Sequence, residues 1–187
     1  MLTAFQNSGS FYKGNLHGHS TNSDGQVTPE RYCSFYADAG YDFVCLSDHF
    51  LKEYDWPITD TSAFRAENFT TIIGAEIHTD VMDNGAIWHL LSVGLPFEFE
   101  RPTENESAHS LAQRAIDAGA FVALAHPEWN GLTLADAMKI PEGIHAVEVF
   151  NTIAKVHTGR ASGEYLLDQL LTKGRRVGAI AVDDVHY

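Results

Sequence analysis

Histidine and carboxylate side chains recur along this chain in a pattern that suits a group of metal ions. They are His17-Gly18-His19, Asp24, Ser47-Asp48-His49, Glu76, His89, His126-Pro127 and Asp184-Val185-His186. Imidazole nitrogen and carboxylate oxygen are the donors favoured by zinc, manganese and iron. His17 and His19 lie two residues apart on an extended segment, so both side chains leave on one face and can chelate one ion. Glu76 closes an apolar strand, and a carboxylate buried there without a cation is expensive. Asp48 is expected to orient a ligand imidazole through its second ring nitrogen.

The elements that must position these residues are short apolar runs alternating with helical patterns. Strands are expected over 12–17, 43–46, 71–76, 87–93, 121–125, 146–150 and 177–182. Thr28 and Pro29 mark the cap and first residue of a helix in which Tyr32, Phe35, Tyr36 and Ala39 share a face. Further helices are expected over 107–118, 133–138 and 161–173. Residues 50–66 are irregular, aromatic and acidic, as a lid or binding loop is, and the stretch 50–64 is expected to set specificity. No internal repeat or linker interrupts the pattern.

Strands alternating with helices predict a parallel sheet covered by helices, either an open doubly wound sheet or a closed barrel. The ligand residues favour closure, because nearly all fall at or just past the C-terminal end of a strand. Only a barrel brings all those ends to one point. The expected architecture is therefore α/β, a seven-stranded (β/α) barrel formed by residues 1–187 as one domain.

Composition is consistent with this. The chain has 187 residues, 44% of them apolar, which is enough for a sizeable core. A net charge of −13 argues against long nucleic acids and anionic membranes as partners. Two cysteines, Cys33 and Cys45, sit in apolar segments as buried thiols do. No apolar stretch reaches membrane-spanning length, and residues 1–6 carry no export signal, so a cytoplasmic location is expected. The motifs of P-loop NTPases, dinucleotide-binding folds, serine hydrolases and zincins are absent.

The fragments Asn15-Leu16-His17-Gly18-His19-Ser20 with Asp24-Gly25, Ser47-Asp48-His49, Gly74-Ala75-Glu76 with His89, Ala125-His126-Pro127 and Asp183-Asp184-Val185-His186 together resemble, in order, the motifs of the polymerase-and-histidinol-phosphatase (PHP) family of metal-dependent phosphoesterases. The resemblance spans residues 14–186. It implies a distorted (β/α)7 barrel with three divalent metal ions, zinc, manganese or iron. His17, His19, Glu76 and Asp184 would hold the first ion. Glu76 would bridge to a second held by His89 and His126. Asp24, His49 and His186 would hold the third. Many relatives have histidine at the Asp24 position, and the carboxylate here shifts preference toward harder ions such as manganese.

A hydroxide between the two ions that share Glu76 would attack phosphorus in line. Glu76 and Asp184, with Asp48 and Arg160, form the expected catalytic set. Arg160, His157 and Asn151, near the sixth strand, are the expected substrate contacts, Arg160 because a guanidinium can grip a phosphate in bidentate fashion. For the leaving-group proton, a metal-bound water, the neighbourhood of His49, and His157 remain alternatives. Of the other histidines, His109 is expected to be solvated and His145 structural, and His78 is expected to lie away from the mouth.

The expected substrate is a small phosphorylated metabolite or nucleotide. Phosphodiester or nucleic-acid-end hydrolysis, a histidinol phosphatase, and a non-catalytic metal-binding barrel are the alternatives. The resemblance also implies a helix after the seventh strand, which a sequence ending at Tyr187 lacks. The exposed flank would then be covered by a second copy in a homodimer, or the last ligands would be loosely held, or the chain is a truncation.

Overall fold

The first helix starts where its chemistry requires. Thr28 is extended, its hydroxyl accepts from Arg31 N–H, and Pro29 follows as the first helical residue of α1 (Pro29–Asp38). α1 buries Tyr32, Cys33 and Tyr36 against Val44, Leu46, Phe69 and Val185. The computed structural model describes residues 9–187. The expectation that residues 1–6 carry no export signal lies outside them.

The main sheet path is β1 (Gly14–Asn15), β2 (Phe43–Leu46), β4 (Thr70–Val81), β5 (Ile87–Val93), β6 (Phe121–Leu124), β7 (Ala146–Asn151) and β8 (Gly178–Val182). The two-residue β3 (His49–Phe50) also pairs with β4, so it continues β2 after a break at Ser47-Asp48. The path runs through seven strands in sequence order, as expected of the barrel. β1 and β8 are not paired along their length. Among the described residues, the cylinder is closed at one end by a single parallel bridge between Gly18 and Val185. There His19 N–H donates to Val185 O at 2.8 Å and Asp184 N–H to His17 O at 2.9 Å. The result is a nearly closed, distorted barrel.

The all-parallel expectation fails at β5, which runs antiparallel to both β4 and β6. The cause is the turn between β4 and β5. Gly85, at φ +84°, donates its N–H to Met82 O, and Met82 N–H bonds Ala86 O. This segment is far too short for a crossover helix, so the chain must return as a hairpin. β4 also runs to Val81, beyond the strand expected over 71–76, while the strand expected over 12–17 shrinks to Gly14–Asn15.

Of the remaining helices, α2 (Ala108–Asp117) is capped by Ser107, and α4 (Leu134–Ala137) by a Thr133–Asp136 capping box. α6 (Glu164–Thr172) starts three residues later than expected. α3 (Pro127–Asn130) and α5 (Thr152–Thr158) were not expected. The largest core cluster packs Leu111, Ala112 and Ala115 of α2 and Leu166 and Leu170 of α6 on Ala75, Ile77, Leu90, Leu124 and Val147 of the sheet. The opposite faces of these strands point inward. Ile72, Leu91, Val93, Ala123 and Ala146 plug the barrel there, with Cys45. Both cysteines are free and buried, as expected. Among the described residues, no helix is long and apolar enough to cross a membrane.

Candidate metal centre

Strand alternation places Glu76 and His78 on the inward face of β4, above Ile72 and Gly74. His89 faces them from β5, where the register pairs His78 with His89. Because β5 is reversed, His89 is the third residue of its strand rather than a C-terminal one. His17 and His19 follow β1 on the closing segment, and His126 and Asp184 lie just past β6 and β8. Two of these residues adopt left-handed backbone: His126 at φ +24° and Asp184 at φ +54°. Neither is glycine, so the surrounding structure holds each against a local preference of about 1–3 kcal/mol.

Asp24 arrives on a folded loop in which Ser23 and Gly25 N–H both donate to Ser20 O. A Cβ on Gly25 would collide with the His19 carbonyl and Ser20 N, so only glycine lets this loop lie against the centre. Asp48 anchors the loop. Its carboxylate accepts from Ser20 N–H at 2.7 Å, from the Ser20 and Ser23 hydroxyls at 2.9 Å each, and from Thr59 Oγ1 at 3.1 Å. The expectation that Asp48 orients an imidazole is therefore corrected. Asp48 and His49 are neighbours in an extended segment and leave on opposite faces, so Asp48 holds the loop instead.

Glu76 is the hub. Its Oε1 lies 2.8 Å from His89 Nδ1 and 3.1 Å from His126 Nε2. Its Oε2 lies 2.7 Å from His49 Nδ1 and 3.6 Å from His17 Nε2. Asp184 Oδ1 sits 3.2 Å from His17 Nε2 and 3.0 Å from His19 Nε2. Asp24 lies 3.4 Å from both His49 Nε2 and His186 Nε2. Ligand-type atoms thus form overlapping groups, each within 4.8 Å: His19, Asp24, His49 and His186; His49, Glu76, His78 and His89; His17, His19 and Glu76; and His17, His126 and Asp184. All nine expected metal ligands meet here. His78, expected to lie away from the mouth, joins them.

Two further residues support the cluster from behind. Glu148, fully buried on β7, lies 2.6 Å from His17 Nδ1 and accepts the His126 backbone N–H at 2.7 Å. Sequence reasoning placed it on a strand without a role. Its signal was a carboxylate inside the apolar run Ala146-Val147-Glu148-Val149-Phe150. Asn151 caps α5 and donates to Glu148 at 3.2 Å and Asp184 at 2.9 Å. It is 0% exposed, so the expected substrate contact is corrected to a buried support for Asp184.

The chemistry of the donor set fits divalent cations. His17 Nε2, Glu76 Oε2 and His126 Nδ1 are buried yet make no hydrogen bond, and the first two face the cluster. Orphaned polar atoms of this kind are costly unless something binds them. Among the described residues, no lysine or arginine pairs with Asp24, Glu76, Glu148 or Asp184, and their ionic partners are all histidines. Burial alone would lower the His17 pKa, but Asp184, Glu148 and Glu76 outweigh it and hold it well above the usual value. Burial also opposes charge on His49, yet Glu76 and Asp24 push it up to about 10. Burial would raise Glu76, but the surrounding imidazoles, His89 first, hold it well below the carboxylate range. On His17 and His49, protons and cations would therefore compete for the same lone pairs.

The centre opens into a cavity of about 270 Å³ whose outer wall is Trp129, Ile153, Ala154 and His157. Trp129 stands edge-on to His126 and His89, with ring centroids 4.9 and 5.6 Å away. His157, on α5, reaches the cavity as expected. Arg160 does not. It lines a separate depression with Glu128, Ser162 and Tyr165, because Gly159 ends α5 at φ +74° and turns the chain away. The expected phosphate grip by Arg160 is corrected accordingly. His109 is exposed, and His145 braces β6 by accepting Val122 N–H at 3.0 Å.

No family model matches the sequence, and no curated protein matches it either. Solved structures do match. A two-domain protein from Bacteroides vulgatus containing a predicted PHP-like metal-dependent phosphoesterase is 24% identical, with a TM-score of 0.67 over 94% of this chain. This chain covers 52% of that protein, about half its length. A proposed metal-dependent phosphoesterase from Bifidobacterium adolescentis is 16% identical, with a TM-score of 0.62 and coverage of 94% of this chain and 88% of that one. An amidohydrolase from Chromobacterium violaceum, solved with bound sulfate and no metal, is 15% identical, with a TM-score of 0.61 and coverage of 93% and 87%. The likeness is one of fold: the chain forms a distorted barrel of the PHP type.

Proposed function

We propose that this chain is a metal-dependent hydrolase of phosphate esters, acting on a small phosphorylated metabolite or nucleotide at a centre of three divalent cations. The observation that carries this reading is the convergence of nine ligand-type side chains around buried, unpartnered donor atoms in a barrel of the PHP type. His17, His19, Glu76 and Asp184 would hold one cation, Glu76, His89 and His126 a second, and Asp24, His49 and His186 a third. Zinc, manganese and iron all suit these donors.

When bound, the cations lower the pKa of a water and neutralise charge on the phosphoryl group. The chain does the rest. Glu148 and Asn151 fix His17 and Asp184, Asp48 holds the Asp24 loop in place, and Trp129, Ile153 and Ala154 form an apolar wall for the leaving group. Among the described residues, His157 is the one imidazole on the cavity wall outside the ligand groups, which makes it a candidate to protonate the leaving oxygen. A cavity of about 270 Å³ suits a small substrate, and the net charge of −13 disfavours a long polyanion.

The test is turnover of an aryl phosphate monoester, its diester and an anilide by metal-stripped protein resupplied with manganese, zinc or iron, with His126→Ala as control. Metal-restored monoester turnover lost in the variant supports the proposal. Faster diester turnover makes the chain a phosphodiesterase. The amidohydrolase among the similar structures supports a second reading, and turnover of the anilide alone would establish it.

A further inference from the structure

His78 is a buried histidine outside the expected ligand set, and its surroundings fix its hydrogens. Its Nδ1 lies 3.1 Å from the Trp88 backbone carbonyl oxygen, which can only accept, so Nδ1 carries the proton. Its Nε2 then presents a lone pair 2.9 Å from His49 Nδ1. His78 is 2% exposed with the His89 ring 4.4 Å away, a poor place for a second proton.

The consequence falls on His49, whose Nδ1 has two neighbours. Glu76 Oε2 is nearer, at 2.7 Å, yet makes no hydrogen bond, whereas His78 Nε2 does. We propose that His78 is a positioning residue: it takes the hydrogen bond of His49 Nδ1–H, which leaves Glu76 Oε2 free for a cation and presents His49 Nε2 as a bare donor toward Asp24. The Trp88 carbonyl thereby selects, through two imidazoles in series, the nitrogen that His49 offers. A neutral imidazole has one bare nitrogen, so fixing the proton on Nδ1 fixes the ligand atom. His49 Nε2 and Asp24 Oδ2 face each other at 3.4 Å, with room for an ion to draw both in. The metal half of this inference rests on the function proposed above. The hydrogen-bond chain does not.

Nitrogen-15 NMR of the full chain separates the two. In metal-free protein, His78 should show a protonated Nδ1, a bare Nε2, and a scalar coupling across the hydrogen bond to His49 Nδ1. A protonated His78 Nε2, or no coupling, overturns the inference. In zinc-loaded protein, His49 should be bare at Nε2 alone. By equilibrium dialysis, His78→Phe should weaken one zinc ion of the set by about 10–100-fold, while His78→Gln, whose carbonyl can accept the same hydrogen bond, keeps most of that affinity. In a His49→Ala background, His78→Phe should add no further loss. An additive loss would make His78 a ligand itself and overturn the positioning role. Wild-type protein that binds neither zinc, manganese nor iron overturns the proposed function, and the coupling then decides the hydrogen-bond chain by itself.

Discussion

His17 Nδ1 and Glu148 Oε1 lie 2.6 Å apart, with both side chains sealed from solvent. The pairing turns His17 Nε2 toward Asp184 and Glu76, and the second Glu148 oxygen takes the His126 backbone N–H. One carboxylate therefore orients one imidazole and fixes the backbone of another. Glu148→Gln keeps the shape but weakens the hold on His17. Its metal affinity should fall about 10–100-fold with the far-ultraviolet circular dichroism spectrum unchanged. Equilibrium dialysis against zinc checks this, and unchanged affinity would remove Glu148 from the site.

The backbone at His126 carries its own test. At φ +24° and ψ +61° the residue is strained for any side chain but glycine tolerates it. Both His126→Gly and His126→Ala should lose metal binding. In the metal-free state His126→Gly should be the more stable by about 1 kcal/mol, read from urea unfolding.

Arg160 and Trp129 should behave in opposite ways. Arg160 lies in a depression away from the centre, so Arg160→Ala should leave turnover within about two-fold, a change of about 0.4 kcal/mol. Trp129 forms a wall of the cavity and meets the His126 and His89 imidazoles edge-on. Trp129→Ala should raise KM for aryl substrates more than it lowers kcat. Steady-state kinetics of both variants on one aryl phosphate decides between these expectations.

Away from the site, Glu106, just before α2, holds Arg114 of that helix's last turn, with both contacts to the guanidinium at 2.9 Å. The Arg114 hydrogen bond, chiefly, keeps the Glu106 pKa below its usual value. A depressed carboxyl contributes stability above its unfolded pKa of about 4.3. That contribution is lost as pH falls through the folded value. Arg114→Met should therefore destabilise the protein by about 1 kcal/mol at neutral pH, since the pair is partly exposed. The difference from wild type should shrink as pH falls below about 4.3 and vanish only once pH has passed below the depressed folded value. Urea titrations at several pH values give the comparison.

The nine ligand types were legible because each is chemically conspicuous where it stands: paired histidines after a strand, an acid in an apolar run, a histidine before proline. The barrel was legible because those residues cluster at strand ends. The reversed β5 was not, since the alternation of Ile87 to Val93 reads alike in either direction and only the turn at Gly85 sets its sense. Glu148 was given no role and His78 was placed away from the mouth because a buried acid or imidazole shows its partner only in three dimensions. Arg160 misled for the opposite reason. Its distance in sequence from β7 is short, but the left-handed turn at Gly159 points it elsewhere.

The barrel is fastened by one bridge, Gly18 to Val185, and its flanking hydrogen bonds, and the residues on either side of that fastening are His17, His19, Asp184 and His186. Under the proposed function, a cation shared across them would be a clasp joining the first and last strands of the cylinder. Metal content and mechanical integrity would then become one variable. Chelation should unfasten this edge before any other, and a cell's supply of the ion would set how long the chain survives proteases as well as how fast it works.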